Sequence, residues 1–301
     1  MTGLVLTGLD GSNPLGFLAA LGTLNVLADS GKCETRPRIV WRNLGYWRPE
    51  LEGCSDREQL IEAILADLKT WNDEAAIQLE YGDGERDLKP PPEEFRAFLE
   101  RLVETASPQS RRSVDFAAAF ATDVATDNGG KTKPTALHFT AGQQKFLAQV
   151  QGLRDGVTRE DLEEALYGPW QYARTLPVLK WDATMTRDYA LRAGDPSKEK
   201  VLGVPGADWL AFRGLSFLRT APRGTEIATT GCSGGWKTGG FRWPLWTVWL
   251  GRAELQTVLT LSFQGQDERT RRARGIGVVY ESRIRRSDQG GYGSFSPSEP
   301  L

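Results

Sequence analysis

The sequence predicts an α+β fold, with an N-terminal βα unit and a helical first half followed by an antiparallel, β-rich C-terminal part. Three observations predict it. The chain opens on a short apolar run, a glycine turn and a helix with almost no polar face. Helical spacing of apolar residues then recurs up to about residue 166. Near the C-terminus the period changes to two, over Leu255–Phe263 and Ile276–Ile284.

Val5, Leu6 and Leu9 supply the opening strand, and Gly8 and Gly11 suit a tight turn at positive φ. Ser12 or Asn13 is placed to cap the first helix, with Pro14 at a position that needs no amide hydrogen. From Pro14 to Ala28 only Thr23 and Asn25 are polar, which marks a helix buried on several sides. Arg38–Trp47 reads as extended. Asp56–Trp71 reads as a helix capped by Ser55 or Asp56, with Leu60, Ile64 and Leu68 at helical spacing. Gly82–Pro92 is a polar loop, Glu93–Thr105 a helix, Val114–Val124 a short helix and Thr126–Pro134 a loop. Ala141–Leu153 and Thr158–Leu166 are helices parted by Asp155-Gly156. Leu176–Pro205 is polar and irregular, Asp208–Leu218 is apolar and aromatic, and Pro222–Gly240 is glycine-rich. Trp243–Leu250 is a buried strand. Leu255–Phe263 and Ile276–Ile284 are expected to form an antiparallel pair around a Gly265–Gly275 connection. This divides the chain into regions 1–175 and 176–301, with a soft boundary near Leu176 that is compatible with one domain or two.

A chain of 301 residues can bury a large core, and 40% apolar with 25% charged residues is a soluble globular composition. No apolar run suggests a membrane helix, and no lysine or arginine precedes the first helix as in a signal peptide. Cys33, Cys54 and Cys232 form no CxxC pair, which fits reduced thiols and a cytoplasmic location. Charge is uneven. Glu50–Glu104 holds 16 acidic against 6 basic residues, whereas Arg269–Arg286 holds seven arginines against Glu281. Such asymmetry suits a protein with one face toward a polyanion, or acidic helices that pair with the arginines on folding.

The phosphate-loop candidates fail on their own requirements. Gly231–Thr238 has Trp236 where glycine must precede the lysine, and Gly130-Lys131-Thr132 has Ala125 in place of the first glycine. The Gly8–Pro14 turn offers helix-end amides, but Asp10 beside it repels an anion. His138 is the single histidine, with no GxSxG elbow, and reads as structural. Cys and His spacings hold no zinc site. Asp182, Asp188, Asp195 and Asp208 form a candidate magnesium cluster, weighed against capping of turns and pairing with Arg187, Arg192, Lys198 and Lys200. No cofactor is called for.

The basic residues carry the strongest binding signal. Arg269, Arg271, Arg272 and Arg274 crowd the expected hairpin loop, and Arg283, Arg285 and Arg286 end its second strand. Such a hairpin suits a phosphate backbone, with Tyr280, Tyr292 and Phe295 as stacking platforms for unpaired bases. Lys131, Lys133, Lys198 and Lys200 are secondary candidates. The alternative is a solvated loop or a surface that docks an acidic protein.

The DGSNPLGFLAALGTLNVLA segment at Asp10–Ala28 resembles the start of proteins encoded with type I-G (formerly type I-U) CRISPR systems. LHFTAGQQKFL at Leu137–Leu147 and the Trp181–Leu218 stretch are similar to the same group, so the likeness spans roughly a quarter of the chain. The resemblance implies an antiviral role beside a surveillance complex, in which RNA-guided DNA binding precedes degradation by a helicase-nuclease. Two family members fit, the large subunit and a small extension of the helicase-nuclease, and the chain is short for the former. No catalytic motif of the family maps onto positions here. The expectation is therefore a non-catalytic subunit or accessory factor that contacts guide RNA or target DNA, or couples the complex to the helicase-nuclease, with no membrane partner. A magnesium-dependent nuclease using the aspartates and a pure protein–protein adaptor are the alternatives.

Overall fold

The computed structural model describes residues 3–31, 33, 35–108, 110–185, 201–235, 237–287 and 292–301. Mixed helices and antiparallel strands give the expected α+β fold, with the βα unit at the start and a β-rich end. Strand β1 (Leu4–Val5) leads into helix α1 (Pro14–Ser30). Asn13 caps α1 by accepting the Leu15 amide, Pro14 takes the first turn, and Gly31 closes the helix at φ 59°. Strands β2 (Arg38–Asn43) and β3 (Trp47–Glu52) form a hairpin that joins β1 in the antiparallel order β1-β3-β2.

Helices α2 (Arg57–Lys69, capped by Asp56), α3 (Pro92–Thr105) and α4 (Arg112–Phe120) follow. The expected loop at Thr126–Pro134 is instead the turn and second strand of a hairpin, β4 (Ala121–Thr126) with β5 (Thr132–Pro134). Asp127 Oδ1 closes that turn by accepting the Gly129 and Lys131 amides. Helix α5 (Phe146–Gly156) starts five residues later than Ala141, because Asp87 accepts the Phe146 amide and Gly142 lies at φ 60°. Helix α6 (Arg159–Tyr167) opens on a Thr158/Asp161 capping box.

Helix α7 (Pro205–Gly214) and a 3₁₀ turn (Leu215–Phe217) occupy the aromatic stretch. The glycine-rich segment contains the β6 (Thr220–Arg223) and β7 (Glu226–Thr229) hairpin and β8 (Cys232–Ser233). Strand β9 (Gly240–Trp246) is followed by helices α8 (Arg252–Val258) and α9 (Glu268–Ala273), then by β10 (Ile276–Arg286), β11 (Gly293–Phe295) and β12 (Glu299–Pro300). The final sheet runs β11-β10-β9-β8, with β12 also on β10.

The expected strand at Leu255–Phe263 is corrected: its first part is α8. Leu255 and Leu259 are buried one helical turn apart, Leu261 is exposed, and Glu254 reaches back to the Gly251 amide. An alternating pattern that contains an i, i+4 pair also satisfies one face of a short helix, and the cap decides. Strand β10 therefore pairs with β9, and the arginines of α9 are not on a hairpin tip.

Helix α1 is apolar all round because it is enclosed on several sides. Phe17 packs on Trp41, Trp243 and Trp246. On another side α1 crosses α7 with almost no separation: a Cβ on Gly22 would lie 1.7 Å from the Leu210 carbonyl oxygen, and one on Gly214 2.2 Å from that of Leu18. Around α7 a second aromatic group joins Trp71, Phe116, Trp209 and Phe212. One apolar cluster runs from Leu6 to Phe295 and draws on both halves of the chain. No helix among the described residues is long and apolar enough to cross a membrane.

The turn glycines need a different explanation from the one expected. Neither Gly8 nor Gly11 lies at positive φ. They are required by close approach: a Cβ on Gly8 would meet the Ala165 carbonyl at 2.5 Å, and one on Gly11 would meet Leu245 at 2.6 Å.

Candidate functional site

Four of the arginines singled out in the sequence have no side-chain partner among the described residues. Arg269 and Arg271 lie on α9, and Arg283 and Arg285 lie on the distal part of β10. Strand alternation buries Ile284 and leaves Arg283 and Arg285 exposed on the same face. At the usual rise of a strand, the start of β10 at Ile276, just after α9, lies roughly 26 Å from Ile284 between the second pair. Arg272 pairs with Glu268 at 2.6 Å, and Arg274 donates to Gln266 at 3.2 Å.

Other candidates are committed to the fold. Arg286 turns inward, donating to the backbone oxygens of His138 (2.5 Å) and Ala136 (2.7 Å) over the Phe139 ring. Burial lowers its pKa to about 10. It is a structural tie rather than a phosphate contact. Phe295 is fully buried against Phe139 and Phe241, so it is not a stacking platform. Tyr280 is half-buried and stacks on Trp243, and the Tyr292 ring is covered by Lys180 Nζ at 4.0 Å. Lys133 is held by Glu226 at 2.8 Å and by the Thr225 carbonyl, while exposed Lys131 lies 4.0 Å from Glu85. Lys198 and Lys200 lie outside the described residues, as do Asp188 and Asp195.

Asp182 and Asp208 are both buried. Asp182 Oδ1 accepts from Asn13 Nδ2, the Thr184 amide and the Thr184 hydroxyl, each at 2.8 Å, and its Oδ2 accepts from the Tyr172 hydroxyl at 2.8 Å. Asp208 accepts the Leu179 amide at 2.8 Å. Burial, opposed by that bond and reinforced by Asp182, pushes the Asp208 carboxyl up to about 8. Among the described residues, no group of three or more His, Cys, Asp or Glu side chains is placed to hold a metal ion. His138 is 2% exposed; its Nε2 lies 2.8 Å from Asp87 and 3.1 Å from Thr140. Burial lowers the imidazole pKa, and Asp87 falls to about 2 because its bonds to His138 and to backbone amides outweigh its own burial.

The Gly8–Pro14 turn does more than connect β1 to α1. It lines a cavity of about 720 Å³, whose other walls include Arg48, Tyr167, Trp170, Tyr172 and Thr184. The Trp170 indole donates to the Ala165 carbonyl at 3.0 Å, which fixes its orientation. Tyr172 is held at φ 53°, an uncommon backbone for a bulky residue, by its hydroxyl on Asp182 and by edge packing with Trp170 at 6.2 Å. Asp10 Oδ1 accepts from the Ser12 amide and hydroxyl, and Oδ2 has no partner among the described residues. Arg48 stacks over Tyr46, which is 65% exposed, at 5.3 Å and pairs with no described carboxylate. Arg48, Trp170 and Tyr172 belong to no motif that the sequence displays. The aromatic cluster around Gly168-Pro169, directly after α6, is a local signal that points to the two aromatics, and nothing local points to Arg48.

The stretches Asp10–Ala28, Leu137–Leu147 and Trp181–Leu218 touch one another in the fold. Asn13 binds Asp182, Trp181 Nε1 donates to the Leu137 carbonyl at 2.9 Å, and α1 crosses α7. No family model matches the chain, and no curated protein matches it.

Proposed function

We propose that this chain is a non-catalytic, nucleic-acid-contacting subunit or accessory factor of a type I CRISPR interference complex, acting in the cytoplasm. It contacts guide RNA or target DNA, or couples the surveillance complex to the helicase-nuclease. The observation that carries the contact is the set of four arginines, Arg269, Arg271, Arg283 and Arg285, with no carboxylate or other side-chain partner among the described residues. Folding has matched most other arginines to acids, so unmatched guanidinium groups at both ends of a strand suit a polyanion longer than one phosphate. The assignment to a CRISPR complex rests on the resemblance of Asp10–Ala28, Leu137–Leu147 and Trp181–Leu218.

Two experiments test the reading. Co-expression with the effector proteins and guide RNA encoded beside its gene should co-purify the chain with the complex or the helicase-nuclease. Failure to associate with either removes the assignment. Binding of labelled DNA and RNA across a salt series should show a steep log–log slope. Charge reversal of the four arginines should shrink that slope by about 0.9 for each duplex phosphate that they neutralise in the wild type. Unchanged affinity and slope in that variant remove the contact.

A further inference from the structure

The cavity beneath the opening turn combines features that the arginines do not explain. Its walls bring together oriented aromatic rings (Trp170, Tyr172) and, among the described residues, an unpaired carboxylate oxygen (Asp10 Oδ2) and a cation without an acidic partner (Arg48). About 720 Å³ is within the range of small-ligand sites, which are concave and carry a few placed polar groups. Each element suits one part of a nucleotide. Aromatic faces stack on any base. A carboxylate oxygen accepts from an exocyclic amine, as on cytosine, and not from the carbonyl that thymine and uracil present there. A guanidinium suits a phosphate. The rings are also held before any ligand arrives: Trp170 by Ala165, and Tyr172 by Asp182 against an unfavourable backbone angle.

We propose that this cavity holds an unpaired nucleobase bearing an exocyclic amino group, stacked on one of the two mutually perpendicular rings of Trp170 and Tyr172 with the other ring at its edge, its amine toward Asp10 and its phosphate toward Arg48. The inference rests on the nucleic-acid reading above and adds a substrate class: a base that is out of its duplex. The arginines would track the backbone, and the cavity would take a single splayed base.

Mononucleotides separate the two ideas, because they fill the cavity without needing α9 or β10. Titrating the purified chain with dCMP and with dTMP, followed through indole Nε1–H resonances, should shift the Trp170 signal with dCMP and leave it unmoved by dTMP. Trp170→Ala should weaken dCMP binding by at least about fivefold. Asp10→Asn keeps an oxygen for Ser12 and replaces the free acceptor with a donor, so it should gain dTMP binding and lose the preference for dCMP. That reversal is one a merely structural role of Asp10 would not produce, and it needs no loss of fold. Absence of any dCMP response at millimolar concentration, or equal response to both nucleotides in the wild type, overturns the proposal, whatever oligonucleotides do. Arginine-dependent oligonucleotide binding together with a silent cavity would leave the wider reading standing. A dCMP response without oligonucleotide binding would do the reverse.

Discussion

Two sets of arginines divide this molecule. Around the base of α7, Arg213 is 0% exposed and pairs with Asp29 at 2.8 Å and Asp67 at 2.9 Å, while lying over the Trp71 ring. Arg112 joins it through Asp67 and Glu74, and Arg252 through Asp29 and Asp115. On α9 and β10, Arg269, Arg271, Arg283 and Arg285 have no such partners among the described residues. The residue type is the same, and the difference lies in what the fold places opposite it. The first set draws its acids from α1, α2, α4 and the turn after α2 that holds Glu74, mostly far away in sequence. The second meets no acid among the described residues. Counting charge along the chain cannot separate them, because pairing is a property of the folded state.

The comparison breaks most decisively at Arg213. Arg213→Met removes the two-bond partner of Asp67, leaving it only Arg112 at 3.6 Å, and should cost about 3–5 kcal/mol in urea unfolding. Adding Asp67→Leu should recover much of that loss, since a buried pair replaced as a unit is often near neutral. A single-variant cost below about 1 kcal/mol would mean the buried set is not structural. The network depends in turn on the α1–α7 crossing, which brings Asp29 to Arg213. Gly22→Ala puts a methyl 1.7 Å from the Leu210 oxygen. Thermal melts should register about 1–3 kcal/mol of overpacking or more.

A buried acid with no cation partner among the described residues responds to pH in its own way. Asp208 has its carboxyl raised to about 8 by burial. Between its unfolded value near 3.8 and about 8 the native state keeps a proton that the unfolded state has lost. Stability from this group therefore falls as pH rises through that window. Asp208→Asn, which keeps the acceptor for Leu179, should gain in Tm over the wild type progressively from about pH 4 to about pH 8. A constant difference across that range would contradict the assignment. His138 acts in the opposite sense: its lowered pKa means stability is lost as pH falls below the ordinary imidazole value near 6.5. The smallest effect on folding belongs to the exposed set. Reversing Arg269, Arg271, Arg283 and Arg285 should change stability by no more than about 0.5 kcal/mol each, because surface changes away from packed features usually do no more.

Local signals are legible where the cause is local. The Asn13 and Asp56 caps and the Thr158 cap with Asp161 all sit at the ends the sequence marks. The all-round apolar character of Pro14–Ala28 announces a buried helix, and the helix is buried. Leu255–Phe263 misleads because its alternation also contains the Leu255/Leu259 helical pair, and the deciding contact is Glu254 on the Gly251 amide. Arg285 and Arg286 look equivalent in the sequence. Strand register turns the first outward and aims the second at the His138 and Ala136 carbonyls. The cavity is illegible for the same reason: the turn at Gly8–Pro14, the hairpin residue Arg48 and the aromatics after α6 are brought together only by tertiary packing.

Nucleic-acid contact through the exposed arginines is tested by the salt dependence of affinity for the wild type and for the variant with Arg269, Arg271, Arg283 and Arg285 all changed to Glu. The wild type should bind with a steep log–log slope, and the variant should fold normally but bind more weakly with a flatter slope. A folded variant with the affinity and slope of the wild type would contradict that contact.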